Sequence, residues 1–476
     1  MSLRPSGLCP ALLLASILAG PASALADGLR VGAASVDITP PVGTPMAGYY
    51  AERLSKGVHD PLFAKAIVLE VGGKKAALVA LDLISTPMAM VEAARREVEK
   101  ATGIDGRDVM ISATHAHTGP VLQAGGARSH AFGGDNPLAL AYGEALPAKI
   151  AEGVRLADRA LRPAKVAVGH GQESAISFNR RFHMVDGTVG WNPGKKNPKI
   201  LKAAGTIDPD VAVVYFESVD KDPTPLVTYV NHAVHLDNVG GMEFSADMPA
   251  TIADLLGRFK GREMVTLYTS GCCGDINHID VRWAEPQKGH ENASRMGVIL
   301  AAEVLKTWPR LKVESPGALR VKSSKVKLPL AKITPEDVET ARAVLDRLDG
   351  KSKPPAFLEQ VRAFKVLDVE ARRGEPIEVE VQVVALGDSI AWVSLPGEIF
   401  VELGLAIKQD SPFPHTIIAE LANGAIGYIP SRRAYAQGNY EVISARCAEG
   451  SGEILVDAAV KLLKEMHKEA TSPPAE

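Results

Sequence analysis

The 476-residue chain has no surplus of charge: 53 Lys plus Arg stand against 56 Asp plus Glu, a formal net charge of −3. Nucleic-acid readers usually carry a concentrated positive surface, so that class of partner is set aside. Beyond the first residues, no segment is apolar and long enough to cross a bilayer, which takes about 20 residues of helix. There is no internal repeat and no low-complexity tract apart from the tail at 471–476, which reads as disordered. Wholesale disorder is excluded as well, because 46% of the residues are hydrophobic and can fill a large core. Cysteine is scarce, at 4 in all.

The N-terminus sets the compartment. Arg4 gives a positive start, Ala11 to Gly20 an apolar stretch, and Ala24-Leu25-Ala26 a small-x-small cleavage pattern. That is the build of a signal peptide over residues 1–26, so the mature protein is expected to be secreted or periplasmic. Cys9 lies inside the signal, leaving Cys272, Cys273 and Cys447. An oxidising compartment allows one bridge, from Cys447 to Cys272 or Cys273. The other reading is three buried thiols packed as small hydrophobes.

Short β-branched runs alternate with helical patterns through the rest of the chain. Strands are expected at 64–71, 76–83, 108–112, 165–169, 211–216, 226–231, 264–269, 377–385, 390–394 and 416–421. Helices are expected at 89–101, 138–161, 250–258, 293–307, 335–348 and 453–468. This alternation predicts an α/β protein with central mixed β-sheets flanked by helices. The charged stretch 310–378, broken at Lys351-Ser352-Lys353-Pro354-Pro355, reads as an accessory lobe or insertion within one large unit over 27–470.

The histidines are not spread evenly. His115 and His117 follow a strand in Ser112-Ala113-Thr114-His115-Ala116-His117, and His232 and His235 lie at another strand exit. Strand ends in α/β sheets collect ligands, and these pairs can direct four imidazoles at one point. Neutral imidazole suits Zn²⁺, whose catalytic sites take about three protein ligands and keep an open position. Gly271-Cys272-Cys273-Gly274-Asp275-Ile276-Asn277-His278 leaves a strand into a glycine-bracketed turn. Ser394-Leu395-Pro396-Gly397-Glu398 is expected to put an acid at a helix start, where the helix dipole alone would account for it.

The ordered pieces Val36-Asp37-Ile38-Thr39-Pro40, Met46-Ala47-Gly48-Tyr49, Ser112 to Pro120, Ser177-Phe178-Asn179-Arg180, Ala233-Val234-His235, Gly274-Asp275-Ile276, Leu395-Pro396-Gly397-Glu398 and Tyr428 through Tyr440 span most of the chain. Together they resemble the neutral, non-lysosomal ceramidases, zinc amidohydrolases that cleave the N-acyl bond of ceramide. The resemblance implies zinc ligands at His115, His235, Glu398 and Tyr428. It implies catalytic roles for His117 beside the metal, for Arg180, and for Tyr440 toward the substrate carbonyl. Zinc lowers the pKa of bound water toward 7, which makes a nucleophile available at neutral pH.

Two departures stand out. The family's motif continues Gly-Asp-Val-Ser-Pro-Asn with an essential serine, and Asn277 occupies that place here, without a hydroxyl to attack or relay a proton. With the chain ending soon after the 453–468 helix, the family's C-terminal immunoglobulin-like domain is expected to be lacking. The expectations are therefore a secreted zinc amidohydrolase acting on a small-molecule or lipid amide, a zinc hydrolase of the same fold for another amide or ester, or a non-catalytic metal-binding protein.

Overall fold

A computed structural model describes residues 28–122, 126–349 and 353–471. The signal-peptide segment, the tail beyond 471 and Lys351-Ser352 of the charged stretch lie outside the described residues.

Two β-sheets stack face to face. The larger runs in the order Val265–Ser270, Pro225–His232, Asp210–Ser218, Arg162–Gln172, Arg30–Asp37, Phe63–Val71, Lys74–Leu81 and Val109–Ala113, with Lys312–Glu314 added beside Arg162–Gln172. The smaller runs Leu319–Leu328, Ile377–Leu386, Ile390–Ser394 and His415–Ala419. Val31, Ile67, Phe216 and Tyr229 of the first sheet meet Val384, Trp392 and Ile417 of the second in one apolar layer. Trp392 is fully buried there, its ring 6.1 Å from that of Tyr229.

Helices cover both outer faces. Met88–Thr102 and Pro137–Arg159 pack Val91, Leu146 and Ile150 on one half of the larger sheet. Met248–Lys260 and His290–Thr307 pack Ile252 and Leu300 on the other half. Val401–Asp410 and Ser451–Thr471 cover the smaller sheet through Leu403 and Leu463. The result is a mixed α/β fold in four layers, helix on sheet on sheet on helix, in which each amphipathic element finds an apolar face. None of the described helices is long and apolar enough to cross a membrane.

Within 310–378 the chain first adds strands to both sheets. It then forms two packed helices, Pro335–Asp346 and Phe357–Glu370, whose contact is Val338, Ala341 and Val344 against Ala363 and Val366. Thr334 starts the first helix with a reciprocal capping box to Asp337, which satisfies backbone donors the helix itself leaves open.

The cysteines settle on the second expected reading. Cys272, Cys273 and Cys447 are all free and buried, and no bridge forms. Cys272 packs its sulfur against Gly404, where a Cβ would lie only 2.6 Å away. Cys273 Sγ donates to Glu420 Oε1 at 2.8 Å. Each thiol is thus held by its own surroundings.

Candidate metal centre and its cavity

Among these pairings, three parallel ones decide where chemistry collects. Val109–Ala113 lies parallel to Lys74–Leu81, Pro225–His232 to Val265–Ser270, and Ile390–Ser394 to His415–Ala419. A parallel pair needs a crossover, and helices 88–102, 248–260 and 401–410 supply the three. Ligands gather outside the carboxyl ends of such strands. His115 and His117 follow Ala113, His235 follows His232, Glu398 follows Ser394, and Tyr428 follows the strand ending at Ala419.

These segments bring three imidazoles to one point. The Nε2 atoms of His115 and His235 are 3.0 Å apart, those of His117 and His235 3.1 Å, and those of His117 and His115 3.3 Å. Glu398 Oε2 is 3.5 Å from His115 Nε2. Glu398 does not begin a helix, as the sequence had suggested. It forms a short strand, Glu398–Ile399, parallel to Tyr428–Ile429, with Glu398 directly opposite Tyr428. The following helix starts only at Val401, because the Leu395-Pro396-Gly397 turn first leads the chain into this ladder.

His232, expected as a fourth imidazole, turns away. It is the last residue of its strand and its Nδ1 donates to the Asp210 carbonyl at 2.9 Å. His278 also leaves the cluster, its Nδ1 lying 3.0 Å from Asp237.

The cluster is polar, buried and unmatched. His115 sits in left-handed backbone at φ +72°, a conformation that costs a non-glycine residue roughly 1–3 kcal/mol. Its Nδ1 donates to the Ile84 carbonyl at 2.8 Å, which aims Nε2 at the cluster. Glu398 Oε2 and His117 Nδ1 are buried without a hydrogen-bond partner. Burial and the neighbouring His115 push His117 down to about 3. Burial, reinforced by His115 and Arg180, holds His235 well below the usual histidine range. Burial would also depress His115, but Glu398 outweighs it and holds His115 above its ordinary value. Burial would raise Glu398, yet His115, Tyr428 and Arg180 bring it down to about 2. Two imidazoles held neutral, a third 3.5 Å from the Glu398 carboxylate, and that carboxylate's oxygen without a hydrogen bond form a donor set that suits a divalent cation.

Beside the cluster stands a matched arrangement. Arg180 donates to Glu441 at 2.8 Å and to the Gly274 carbonyl at 2.7 Å, while Arg181 reaches the other Glu441 oxygen at 2.7 Å. The Arg180 guanidinium lies 5.3 Å from the Tyr428 ring and 5.9 Å from the Tyr440 ring. Tyr440 in turn stands 4.3 Å from Trp191 and 5.3 Å from Tyr428. Asn277 is buried, pairs in register with Phe178, and uses both ends of its amide. Its Nδ2 donates to Asn192 at 2.8 Å and its Oδ1 accepts from the Ile279 backbone at 3.0 Å.

A cavity of about 210 Å³ opens onto His115, His117, Glu398, Tyr428 and Tyr440. Sequence reasoning missed several of its walls, among them Arg128, Phe132, Arg446 and Asp368. No motif marks them. Arg128 lies in a one-turn helix, Ala127–Ala131, and reaches the site only through the tertiary fold.

No protein-family model matches the chain. A neutral ceramidase of Pseudomonas aeruginosa is 29% identical over 255 residues, 48% of this chain and 36% of that protein. The aligned region therefore spans about a third of that curated relative. A crystal structure of neutral ceramidase from Pseudomonas aeruginosa superposes with a TM-score of 0.70 at 20% identity, covering 92% of this chain and 75% of the other. The chain shares the fold of the neutral ceramidases and is similar in sequence to one of them over about half of its own length. A ceramidase complexed with C2 gives a TM-score of 0.71, again at 20% identity, with 92% and 76% covered. This bears out the resemblance read from the sequence, and with it the α/β fold expected of a neutral-ceramidase relative.

Proposed function

We propose that the chain is a zinc-dependent hydrolase of N-acyl amides, with ceramide-like lipid amides as its substrate class, exported behind the signal at 1–26. One observation carries the reading: three Nε2 atoms converge within 3.3 Å of one another beside a cavity lined by His115 and His117, next to a carboxylate oxygen with no partner. His115, His235, Glu398 and Tyr428 hold the ion. Bound there, zinc supplies Lewis acidity and lowers the pKa of a water toward 7. His117, kept neutral, accepts and returns the proton at Nε2. Tyr440 and Arg180 supply donors to the carbonyl oxygen as negative charge develops on it, and Glu441 keeps the Arg180 guanidinium in place. Kinship with a protein named neutral ceramidase supports the amide bond as the target.

The test is metal content together with product formation. Purified protein should carry about one zinc per chain, release fatty acid from an N-acyl amide, lose that activity to a chelator and regain it with zinc. A chain that binds no zinc, or that leaves every N-acyl amide intact when loaded, rejects the proposal.

Asn277 favours a second reading, hydrolysis of another amide or an ester in the same site. Its amide is engaged by Asn192 and by its own turn, which suits fixing the Asn192 segment rather than handling a proton. Gain of ceramide cleavage in Asn277→Ser would select this reading.

A further inference from the structure

Among the described residues the cavity holds an arginine with no acid in direct contact. Arg128 and Arg446 both line it. Arg446 is neutralised, its Nε donating to Asp368 at 2.8 Å. Arg128 has no such direct partner: among the described residues its guanidinium makes no hydrogen bond or ion pair and lies over the Tyr50 ring, 4.1 Å from its centroid, with Glu398 the acid whose charge reaches it. The same cavity's remaining carboxylate, Glu398, belongs to the metal centre, and a divalent cation there would make the cavity more positive. An arginine fork with five free donors matches a carboxylate or phosphate in a bidentate way, and a neutral alcohol much less well. The lining also includes the apolar Met46, Val121, Leu122 and Phe132. At about 210 Å³ the cavity falls below the roughly 300–1,000 Å³ of ordinary ligand pockets, so it has room for a compact group and not for a whole long-chain molecule.

We infer that the substrate carries an anionic group close to its amide, and that Arg128 binds it. In chemical terms this is an N-acyl amino acid or a phosphorylated N-acyl amine rather than a neutral N-acyl amino alcohol. The inference rests on the second reading above, hydrolysis of another amide in the same site, and its tests separate the two. With zinc-loaded protein, kcat/KM is measured for N-lauroylglycine, N-lauroylethanolamine phosphate and N-lauroylethanolamine. At least one anionic amide should exceed the neutral one, and Arg128→Gln should cut that ratio about tenfold or more, chiefly through KM. Arg128→Lys keeps the charge without the fork and should cut it less. Calorimetric titration of N-acetylglycine and N-acetylglycinamide into zinc-loaded protein needs no turnover. The acid should bind more tightly, with the difference lost in Arg128→Gln. A neutral amide preferred in both assays, or a ratio unchanged in Arg128→Gln, overturns the inference. Arginine-dependent binding without cleavage of any amide would sink the hydrolase reading and leave Arg128 as an anion site.

Discussion

Two buried polar centres lie side by side in this fold and are built in opposite ways. At Glu441 two guanidiniums share one carboxylate, and each of its oxygens receives a donor. At the histidine cluster the Nε2 atoms face one another, and Glu398 Oε2 has no partner. The second opens onto the cavity, with the Glu398 side chain 14% exposed against 0% for Glu441, yet that difference alone does not set them apart. Completeness does: the first centre is closed by the chain itself, while the second is left open for something the chain does not encode. Removing a member of a closed centre strands a charge, and removing a member of an open one relieves a mismatch.

The largest expected effect is on metal. His235→Ala should weaken zinc binding by about a thousandfold or more, read by competition against a chromophoric chelator. In metal-free protein the same change should leave stability level or raise it by about 1 kcal/mol. A strongly destabilised metal-free His235→Ala would break the contrast. Next, Glu441→Ala should cost about 3–5 kcal/mol in urea denaturation, because Arg180 and Arg181 are left buried without a counter-charge. A cost under 1 kcal/mol would mean that the pair is not closed in the sense described.

A third measurement uses Asp275, which accepts from the Val401 backbone and from Asn179. Burial raises its carboxyl from 3.8 to about 6. Between those values the folded chain holds a proton that the unfolded chain has released. Stability from this group is therefore full below pH 4, falls as pH rises to 6, and is level above that, by at most about 3 kcal/mol. Asp275→Asn should remove the slope in pH-dependent denaturation, and an unchanged slope would assign it elsewhere. The smallest effect belongs to a half-exposed histidine pair, His170 and His415, 2.9 Å apart and anchored by Asp210. Here donors and acceptors match and water screens them, so His170→Asn should cost less than about 1 kcal/mol and leave zinc binding untouched.

What could be read from the sequence follows the strength of local signals. Buried strands such as Phe63–Val71 and Ile390–Ser394 announce themselves as unbroken apolar runs. Leu319–Leu328 does not, because Lys and Ser fill its partly exposed positions and its pairing with Ile377–Leu386 gives it its shape. Arg30–Asp37 was missed for the same reason, having few fully buried side chains. The paired histidines flagged the centre, yet periodicity could not tell that His232 would turn toward Asp210 while His235 turned inward. Glu398 and Tyr428 were nominated by resemblance alone. Arg128 carried no local signal, since only the tertiary fold brings it to the cavity.

The ladder of Glu398 with Tyr428 also has a bearing on chain length. Two residues per strand set its register, so a slip of one position would present Gly427 or Ile429 where the phenol stands. The intervening segment is pinned on the way: Thr86 donates to the Leu421 carbonyl at 2.7 Å, and Asn423 accepts from the Ile111 backbone at 2.9 Å. Segment 420–427 therefore acts as a fixed-length spacer, in which any insertion or deletion detunes the centre. Helix 335–346 stands clear of the site, whereas 357–370 carries Asp368 of the cavity wall, so engineered length changes belong in the first and not the second.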